Sequence, residues 1–86
     1  MSIYQLTIIT PEGRVYTGNV VHARIPAEDG YVGVLAGHAP YVTSSPGGSM
    51  EIEEKDGAKM KFELGPGFFT VENNRADFFT QSFSTH

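Results

Sequence analysis

The sequence predicts an all-β protein, built as a sandwich of two mostly antiparallel sheets. Its apolar residues repeat with a period of two, which is the period of a half-buried strand. The predicted strands are short, and turns draw on ten glycines and five prolines among 86 residues. Short strands with recurrent glycine and proline turns are typical of β-sandwiches and barrels. We predict a single β-sandwich domain over residues 1–86.

The N-terminal part of the chain is predicted to form three extended segments. Apolar and polar side chains alternate over residues 4–8, which predicts a strand with one buried face. Residues 11–13 (Pro-Glu-Gly) end it as a turn, and residues 14–17 resume extended structure. Residues 20–25 are rich in β-branched side chains, and we expect Pro26 to end this strand.

The segment from Gly30 to Pro40 is the most informative stretch of the chain. Glycines bracket a short apolar strand, and a further glycine opens the turn Gly37-His38-Ala39-Pro40. Because glycine lacks a Cβ, we expect this strand to approach a neighbouring backbone closely. No nucleophile, carboxylate pair or metal-ligand cluster accompanies it in the sequence. The segment therefore predicts a surface for contact rather than for catalysis.

One hairpin can be placed in register from the alternation alone. A strand over residues 41–45 precedes a break at residues 46–48, and the hairpin follows. A two-residue turn at Asp56-Gly57 would mix core and solvent faces, whereas a three-residue loop with Gly57 left-handed keeps them apart. That loop pairs Met50 with Phe62 and Ile52 with Met60 on the buried side, and Glu51 with Lys61 and Glu53 with Lys59 on the solvent side.

Two C-terminal segments each carry a pair of adjacent phenylalanines. Phe68-Phe69 and Phe78-Phe79 lie in predicted strands over residues 68–72 and 76–80. Neighbouring residues of a strand point to opposite faces. We expect one ring of each pair in the core and the other under a neighbouring strand or a partner.

Composition excludes several classes of partner. The net charge is −4 with only six basic residues, which argues against a nucleic acid or an anionic membrane surface as a partner. The chain has no cysteine, and no apolar run approaches the roughly 20 residues that span a bilayer. Residues 1–5 lack the features of a signal peptide. We expect a soluble, intracellular protein.

No constellation of residues in the sequence predicts catalysis, a metal site or a cofactor. His22, His38 and His86 are isolated from one another and from other ligand residues. The adjacent carboxylates Glu28-Asp29 and Glu53-Glu54 point to opposite faces of a strand. The glycines match neither a dinucleotide fingerprint nor a phosphate loop.

The run Gly-x-x-Gly-hydrophobic-x-x-Gly-His-Ala-Pro over residues 30–40 resembles the signature of the N-terminal domain of the epsilon subunit of F-type ATP synthases. Residues 6–12, 16–18 and 64–71 are similar to further parts of that domain. Tyr31 departs from many relatives, which carry a charged or polar residue there. The resemblance ends near Phe83, where the family usually continues into a two-helix hairpin that brakes hydrolysis and in some members binds ATP. We expect neither activity from residues 1–86.

The resemblance implies a non-catalytic rotor subunit that links the gamma shaft to the membrane ring of c subunits and supports the coupling of proton flow to ATP synthesis. It would lie at the cytoplasmic face of the inner membrane, held there only through the complex. The resemblance also implies two sets of contact residues: Thr10, His38 and Thr43 toward gamma, and Glu28, Asp29, Gly30 and Tyr31 toward the c ring.

Two other functions remain open from the residues alone. One is a free-standing β-sandwich adaptor or ligand-binding module. The other is a small hydrolase that uses His38 as a general base, although the sequence near His38 supplies neither a nucleophile nor an orienting acid.

Overall fold

The computed structural model describes residues 2–85, and within that range we find nine strands and no helix. The predicted all-β class is therefore confirmed. His86 and Met1 lie outside the described residues. The strands are β1 (Tyr4–Thr10), β2 (Gly13–Ala27), β3 (Gly30–Leu35), β4 (Tyr41–Ser45), β5 (Gly48–Glu54), β6 (Lys59–Leu64), β7 (Gly67–Glu72), β8 (Arg75–Thr80) and β9 (Phe83–Thr85).

The two layers share the long strand β2. The first sheet runs β4-β7-β8-β1 and ends on the N-terminal half of β2. The second sheet runs β3-β2-β5-β6-β9 and uses the C-terminal half of β2. The β1–β8 pair is parallel and the other pairs are antiparallel. Hydrogen bonds join all nine strands of the described residues into one continuous, mostly antiparallel sheet, and β2 carries it from one predicted layer to the other.

A β-bulge lets β2 serve both sheets. The register against β5 shifts between Val20 and His22, which leaves Val21 as the extra residue. Because a bulge reverses the inward and outward alternation, Val20 and Ala23 both point into the core and are fully buried. The expectation that the strand ends at Pro26 was wrong. Pro26 pairs with Tyr31 of β3, whereas the pairing of β2 with β5 ends at Arg24. On the side that faces β5, the N–H that proline lacks therefore has no strand to pair with, and no pairing is interrupted.

The hairpin of β5 and β6 has the predicted register. Met50 faces Phe62, Ile52 faces Met60, and the two Glu-Lys pairs follow as expected. Gly57 has a φ of 92°, and the Glu54 N–H donates to the Ala58 carbonyl at 2.8 Å, which closes the three-residue loop. Met60 is more exposed than predicted, at 36%. The reason is that β9 pairs with β6 only at residues 62–64 and leaves Met60 without a neighbour on that side.

The core lies between the sheets and is centred on three buried rings, those of Phe62, Phe69 and Phe78. Phe69 and Phe78 stack with their centroids 5.9 Å apart. The Tyr4 hydroxyl donates to the carbonyl oxygen of Val34 at 2.8 Å, and this bond joins β1 to β3. Burial raises the pKa of Tyr4, so the phenol stays protonated and remains a donor.

The glycines of the 30–37 segment do not have the role that the sequence suggested. Gly30 and Gly37 have φ values of 119° and 82° and open space where a Cβ would lie, so they serve turn conformation. A Cβ on Gly33 would meet only His22 Nε2, at an ordinary 3.5 Å. The expected close backbone approach was therefore wrong here. It occurs instead at Gly47 and Gly67, which abut the carbonyl groups of Leu64 and Phe79.

Candidate functional site

The loop between β2 and β3 projects two carboxylates at one end of the sandwich. Ala27 pairs with Gly30, so Glu28 and Asp29 form a two-residue turn. Both are exposed, and within residues 2–85 Asp29 makes no hydrogen bond or ion pair. We call Glu28, Asp29, Gly30 and Tyr31 the turn surface. The structure keeps these predicted residues together.

The side chain of Tyr31 is held in place by the guanidinium group of Arg24. The guanidinium carbon of Arg24 lies 3.7 Å from the centroid of the Tyr31 ring. Arg24 also contacts the Glu51 carboxylate, with Nη1 and Oε2 3.4 Å apart. Stacking on Tyr31 and pairing with Glu51 restrain the arginine from two sides. The ring of Tyr31 is 47% exposed, so one face remains open to a partner.

Glu28 ties the turn surface to β4. The Ser44 hydroxyl donates to Glu28 Oε2 at 2.5 Å. The bond bridges the two sheets, since Ser44 belongs to the first and Glu28 connects β2 to β3 in the second. This link was not predicted from the sequence, because Glu28 and Ser44 are 16 positions apart and nothing in their local pattern pairs them.

His38 lies in the turn before β4, at the other predicted contact region. Its N–H donates to the Leu35 carbonyl at 3.1 Å, and Nδ1 lies 2.7 Å from the Ala39 carbonyl oxygen. The Gly37 N–H donates to Asn74 Oδ1 at 2.7 Å, which fastens this turn to the loop between β7 and β8. The histidine ring meets Tyr41 edge-on, with centroids 6.0 Å apart.

Thr10 and Thr43 do not cluster with His38. Thr43 is half-buried in β4, and its hydroxyl donates to the Ser44 carbonyl at 3.1 Å. Thr10 is only 7% exposed, and its Oγ1 accepts from the Glu12 N–H at 3.2 Å. Asn74, to which the turn of His38 is bonded, is itself hydrogen-bonded near the start of β1. Thr10 ends β1 five residues further on, which is about 17 Å along the strand at ~3.4 Å per residue. The three residues therefore span the length of the first sheet.

A second hydroxyl interacts with a carboxylate beside the core. Tyr16 donates to Glu54 Oε2 at 2.6 Å. Burial, followed by the hydrogen bond and negative charge of Glu54, raises the pKa of Tyr16. A Cβ on Gly18 would collide with the Tyr16 hydroxyl, so the glycine keeps room for this pair. We assign the pair a structural role, because it locks β2 to β5.

An open depression of about 460 Å³ crosses the outer face of the second sheet. Its floor carries mixed charges, and ordinary cross-strand pairing places Glu51 of β5 between Arg24 of β2 and Lys61 of β6. Such a floor is typical of a solvated face. Within the described residues no group of three His, Asp or Glu side chains could hold a metal ion, and no helix is long and apolar enough to cross a membrane. The polar and charged residues that line the depression are His22, Arg24, Glu51, Glu53, Lys59, Lys61 and Thr85.

The outer face of the first sheet carries apolar side chains that the sequence analysis only partly identified. Phe69 and Phe78 lie in the core, so the prediction of one core ring in each phenylalanine pair is confirmed. Phe68 is 46% exposed and stacks on Phe79 with ring centroids 4.8 Å apart, which was not predicted. Phe79 in turn pairs with Ile9 of β1. We call Ile9, Phe68 and Phe79 the outer row. Val42 of β4 lies on the same face and is 71% exposed.

The nine strands and the single core between the two layers define a small β-sandwich domain. The chain belongs to the family described as "ATP synthase, Delta/Epsilon chain, beta-sandwich domain", which its sequence matches over residues 3–85. The resemblance inferred from the 30–40 segment is thus confirmed.

Several known proteins resemble this chain. The ATP synthase epsilon chain of Helicobacter pylori (strain P12) is 35% identical over 77 residues, which is 90% of this chain and 62% of that protein. The ATP synthase epsilon chain of Chlorobium limicola is 30% identical over 94% of this chain and 92% of its own length. A chain in the Euglena gracilis mitochondrial ATP synthase structure (OSCP/F1/c-ring) superposes with a TM-score of 0.91 at 25% identity, covering 99% of this chain and 54% of that one. This chain thus spans less than two thirds of the Helicobacter relative.

Proposed function

We propose that this chain is a non-catalytic central-stalk subunit of a proton-translocating ATP synthase, and that it links the gamma subunit to the c ring. The family match over residues 3–85 is the observation that carries the proposal. The superposition on a chain of the Euglena ATP synthase, with a TM-score of 0.91, supports it. In this role residues 1–86 act as one domain, peripheral to the cytoplasmic face of the inner membrane and held there through the complex.

The packing of the sandwich suits the transmission of force. A linker between a turning shaft and a ring must resist shear, and close-packed interiors have low compressibility. Two features stiffen the connection between the proposed contact regions: β2 runs through both sheets, and Glu28 binds Ser44 across them. A load on the turn surface therefore reaches β4 through short, packed paths.

The proposed gamma contact runs along the first sheet through His38, Thr43 and Thr10. These residues span its length, which matches an elongated partner better than a compact one. Thr43 and Thr10 have little exposed surface, so they fit the edge of such a contact.

Cysteine cross-linking tests the gamma contact in the assembled enzyme. We expect His38→Cys and Thr43→Cys to form cross-links to gamma with a short bifunctional reagent, because the family resemblance places both positions beside the shaft. Thr10→Cys tests the full length of the contact and should cross-link as well. Asp56→Cys, in the exposed loop between β5 and β6, is the matched control and should remain free. Cross-links at Asp56 alone, or bulky thiol labelling of all three other sites in the intact complex, would contradict the assignment.

The proposed ring contact is the turn surface. Glu28 and Asp29 offer carboxylates to basic groups of the ring, and Tyr31 offers a ring that combines an apolar face with a polar hydroxyl. Asp29 makes no hydrogen bond or ion pair within the described residues, so it is the carboxylate most available to a partner.

Neutralising the turn surface tests the ring contact. We expect the double variant Glu28→Gln, Asp29→Asn to lower the number of protons pumped per ATP hydrolysed severalfold. Its assembly into the enzyme should also depend less on salt concentration, because charges at the rim of an interface act mainly on association. The free energy of unfolding should change by only about 0.5 kcal/mol, since both sites are exposed. Glu72→Gln, an exposed carboxylate away from this turn, is the control. Normal pumping by the double variant at every ionic strength would remove the turn surface from the contact.

A further inference from the structure

We propose that the free edge of β3 pairs with β3 of a second copy of this chain, antiparallel and centred on Gly33. The resulting dimer covers the turn surface and the turn that carries His38, so it must open before the chain joins the central stalk. The pairing itself is independent of the proposed function, whereas this need to open rests on it.

The free edge of β3 lacks the features that protect the other edges of the described sheet. Within residues 2–85, β3 pairs with β2 alone. The edge strand β4 lies between Pro40 and Pro46, the open end of β6 carries Lys59 and Lys61, and β9 has only three residues. Proline, lysine and short length are common means of keeping an edge strand from pairing with another chain. The sequence of β3, Gly-Tyr-Val-Gly-Val-Leu, has neither proline nor charge over its six residues.

Every second residue of β3 directs its backbone groups at this free edge. A two-residue turn joins β2 to β3, so the pair that flanks the turn is hydrogen-bonded, and hydrogen-bonded pairs alternate along the ladder from there. The N–H and C=O groups of Tyr31, Gly33 and Leu35 therefore point away from β2. The carbonyl oxygen of Leu35 accepts the His38 N–H at 3.1 Å and has a second lone pair to offer. These groups can pair with one more strand.

The side-chain pattern of β3 is its own complement. Read from either end, residues 31–35 give a large apolar side chain, valine, glycine, valine and a large apolar side chain. In an antiparallel pair centred on Gly33, Tyr31 lies opposite Leu35 of the second copy, and Val32 lies opposite Val34. Outward side chains then meet outward ones and inward side chains meet inward ones, which a shift of one residue would prevent. A two-fold interface requires this symmetry, so the pattern favours a second copy over an unrelated strand.

The side chains beside the edge leave room for the second strand. The Tyr31 ring stacks on Arg24 of β2, and a Cβ on Gly48 of β5 would lie 3.5 Å from the Tyr31 hydroxyl. The ring thus leans over β2 and away from the free edge. Gly33 is exposed and adds no side chain at the centre. Leu35 is 59% exposed, so the pairing would remove apolar surface from water at both ends of the strand.

The register also keeps the acidic turns of the two copies apart. Each copy carries a net charge of −4, and the exposed carboxylates of Glu28 and Asp29 lie at one end of β3. Antiparallel pairing puts this turn beside the turn of His38 in the other copy, so the two acidic turns lie at opposite ends of the dimer interface. Like charges are therefore not brought together. Both proposed contact regions are covered in the dimer as a consequence.

Sedimentation velocity of the purified chain, from roughly 10 µM to 1 mM, tests the dimer. We expect weak, concentration-dependent dimerisation, because two six-residue edges bury less than the ~1,200 Å² of a standard interface. Leu35→Lys should weaken dimerisation roughly tenfold or more, since it puts a cation on the edge. Val42→Lys is the matched control, because it makes the same change of charge at a 71% exposed position on the face of the outer row. It should dimerise as the unmodified chain does, and the urea midpoints of both variants should stay close to that of the unmodified chain.

Cross-linking tests the register. The chain has no cysteine, so Gly33→Cys carries a single thiol at the proposed two-fold axis. A short bismaleimide should join two Gly33→Cys chains, and adding Leu35→Lys to the same chain should prevent this. Asp56→Cys, in the exposed loop between β5 and β6, is the control and should remain unlinked.

Titration with the isolated gamma subunit separates the dimer from the proposed function. Cross-linking of Gly33→Cys should fall as gamma is added. A chain that stays monomeric at 1 mM, or equal weakening by Leu35→Lys and Val42→Lys, would overturn the β3 pairing and leave the proposed function standing. If gamma binds while cross-linking persists, the dimer is right and its need to open is wrong. If gamma does not bind the monomer at all, the proposed function is wrong although the dimer stands.

Discussion

Gly67→Ala is expected to lower the free energy of unfolding by about 3 kcal/mol, at the upper end of the cost of overpacking. A Cβ at this position would overlap the carbonyl oxygen of Phe79 and lie 2.8 Å from its carbonyl carbon. It would also lie 2.9 Å from the Cα of Thr80. All three atoms belong to the backbone of β8, so no side chain can rotate away.

The first sheet must therefore distort where β7 and β8 meet. Gly67 pairs with Thr80 across the two strands and with Ser45 of β4 on its other side, so moving it strains both ladders. A loss of this size is a large share of the roughly 5–15 kcal/mol that keeps small domains folded. Urea unfolding followed by far-ultraviolet circular dichroism measures it.

Gly33→Ala is the matched control for that variant. Gly33 also lies in a strand, but an added Cβ would touch only the His22 ring at 3.5 Å. We expect a change of about 1 kcal/mol or less, since alanine also reduces the entropy of the unfolded chain. Equal losses at the two glycines would show that the close approach at Gly67 is not what makes it necessary.

These two glycines also show where the sequence was informative about the fold. The alternation of side chains predicted the class, the positions of most strands along the chain and the register of the β5–β6 hairpin, because burial on one face leaves a local pattern. The space around a glycine depends on a strand that is distant in sequence. The sequence analysis therefore placed the close approach at residues 30–37, whereas the structure has it at Gly47 and Gly67.

Other differences have the same physical origin. The strand β9, at Phe83–Thr85, was not predicted, because three residues carry too short a pattern and are held by pairing with β6. The continuity of β2 was missed because Gly18 and Pro26 resemble breaks when read locally. A bulge at Val21 and an edge position for Pro26 accommodate both features in a single strand.

The candidate site divides in the same way. The turn at Glu28-Asp29 and the turn at His38 could be located from the sequence, since proline and glycine mark them. The bond from Ser44 to Glu28 and the stacking of Arg24 on Tyr31 could not. Each depends on side chains that the sheet order brings together from separate strands.

Phe78→Ala is the second variant for which a large effect is expected, with a loss of about 3–5 kcal/mol in the free energy of unfolding. Phe78 is fully buried, pairs with Ile8 of β1 and stacks on Phe69, so truncation leaves a cavity at the centre of the first sheet.

Phe79→Ala is the matched control. It removes the same ring from the next position, which faces outward and is only half-buried. We expect it to cost about 1 kcal/mol in the free protein, because part of the ring remains in water. Similar losses of stability at the two positions would contradict the assignment of one ring to the core and the other to the outer face of the first sheet.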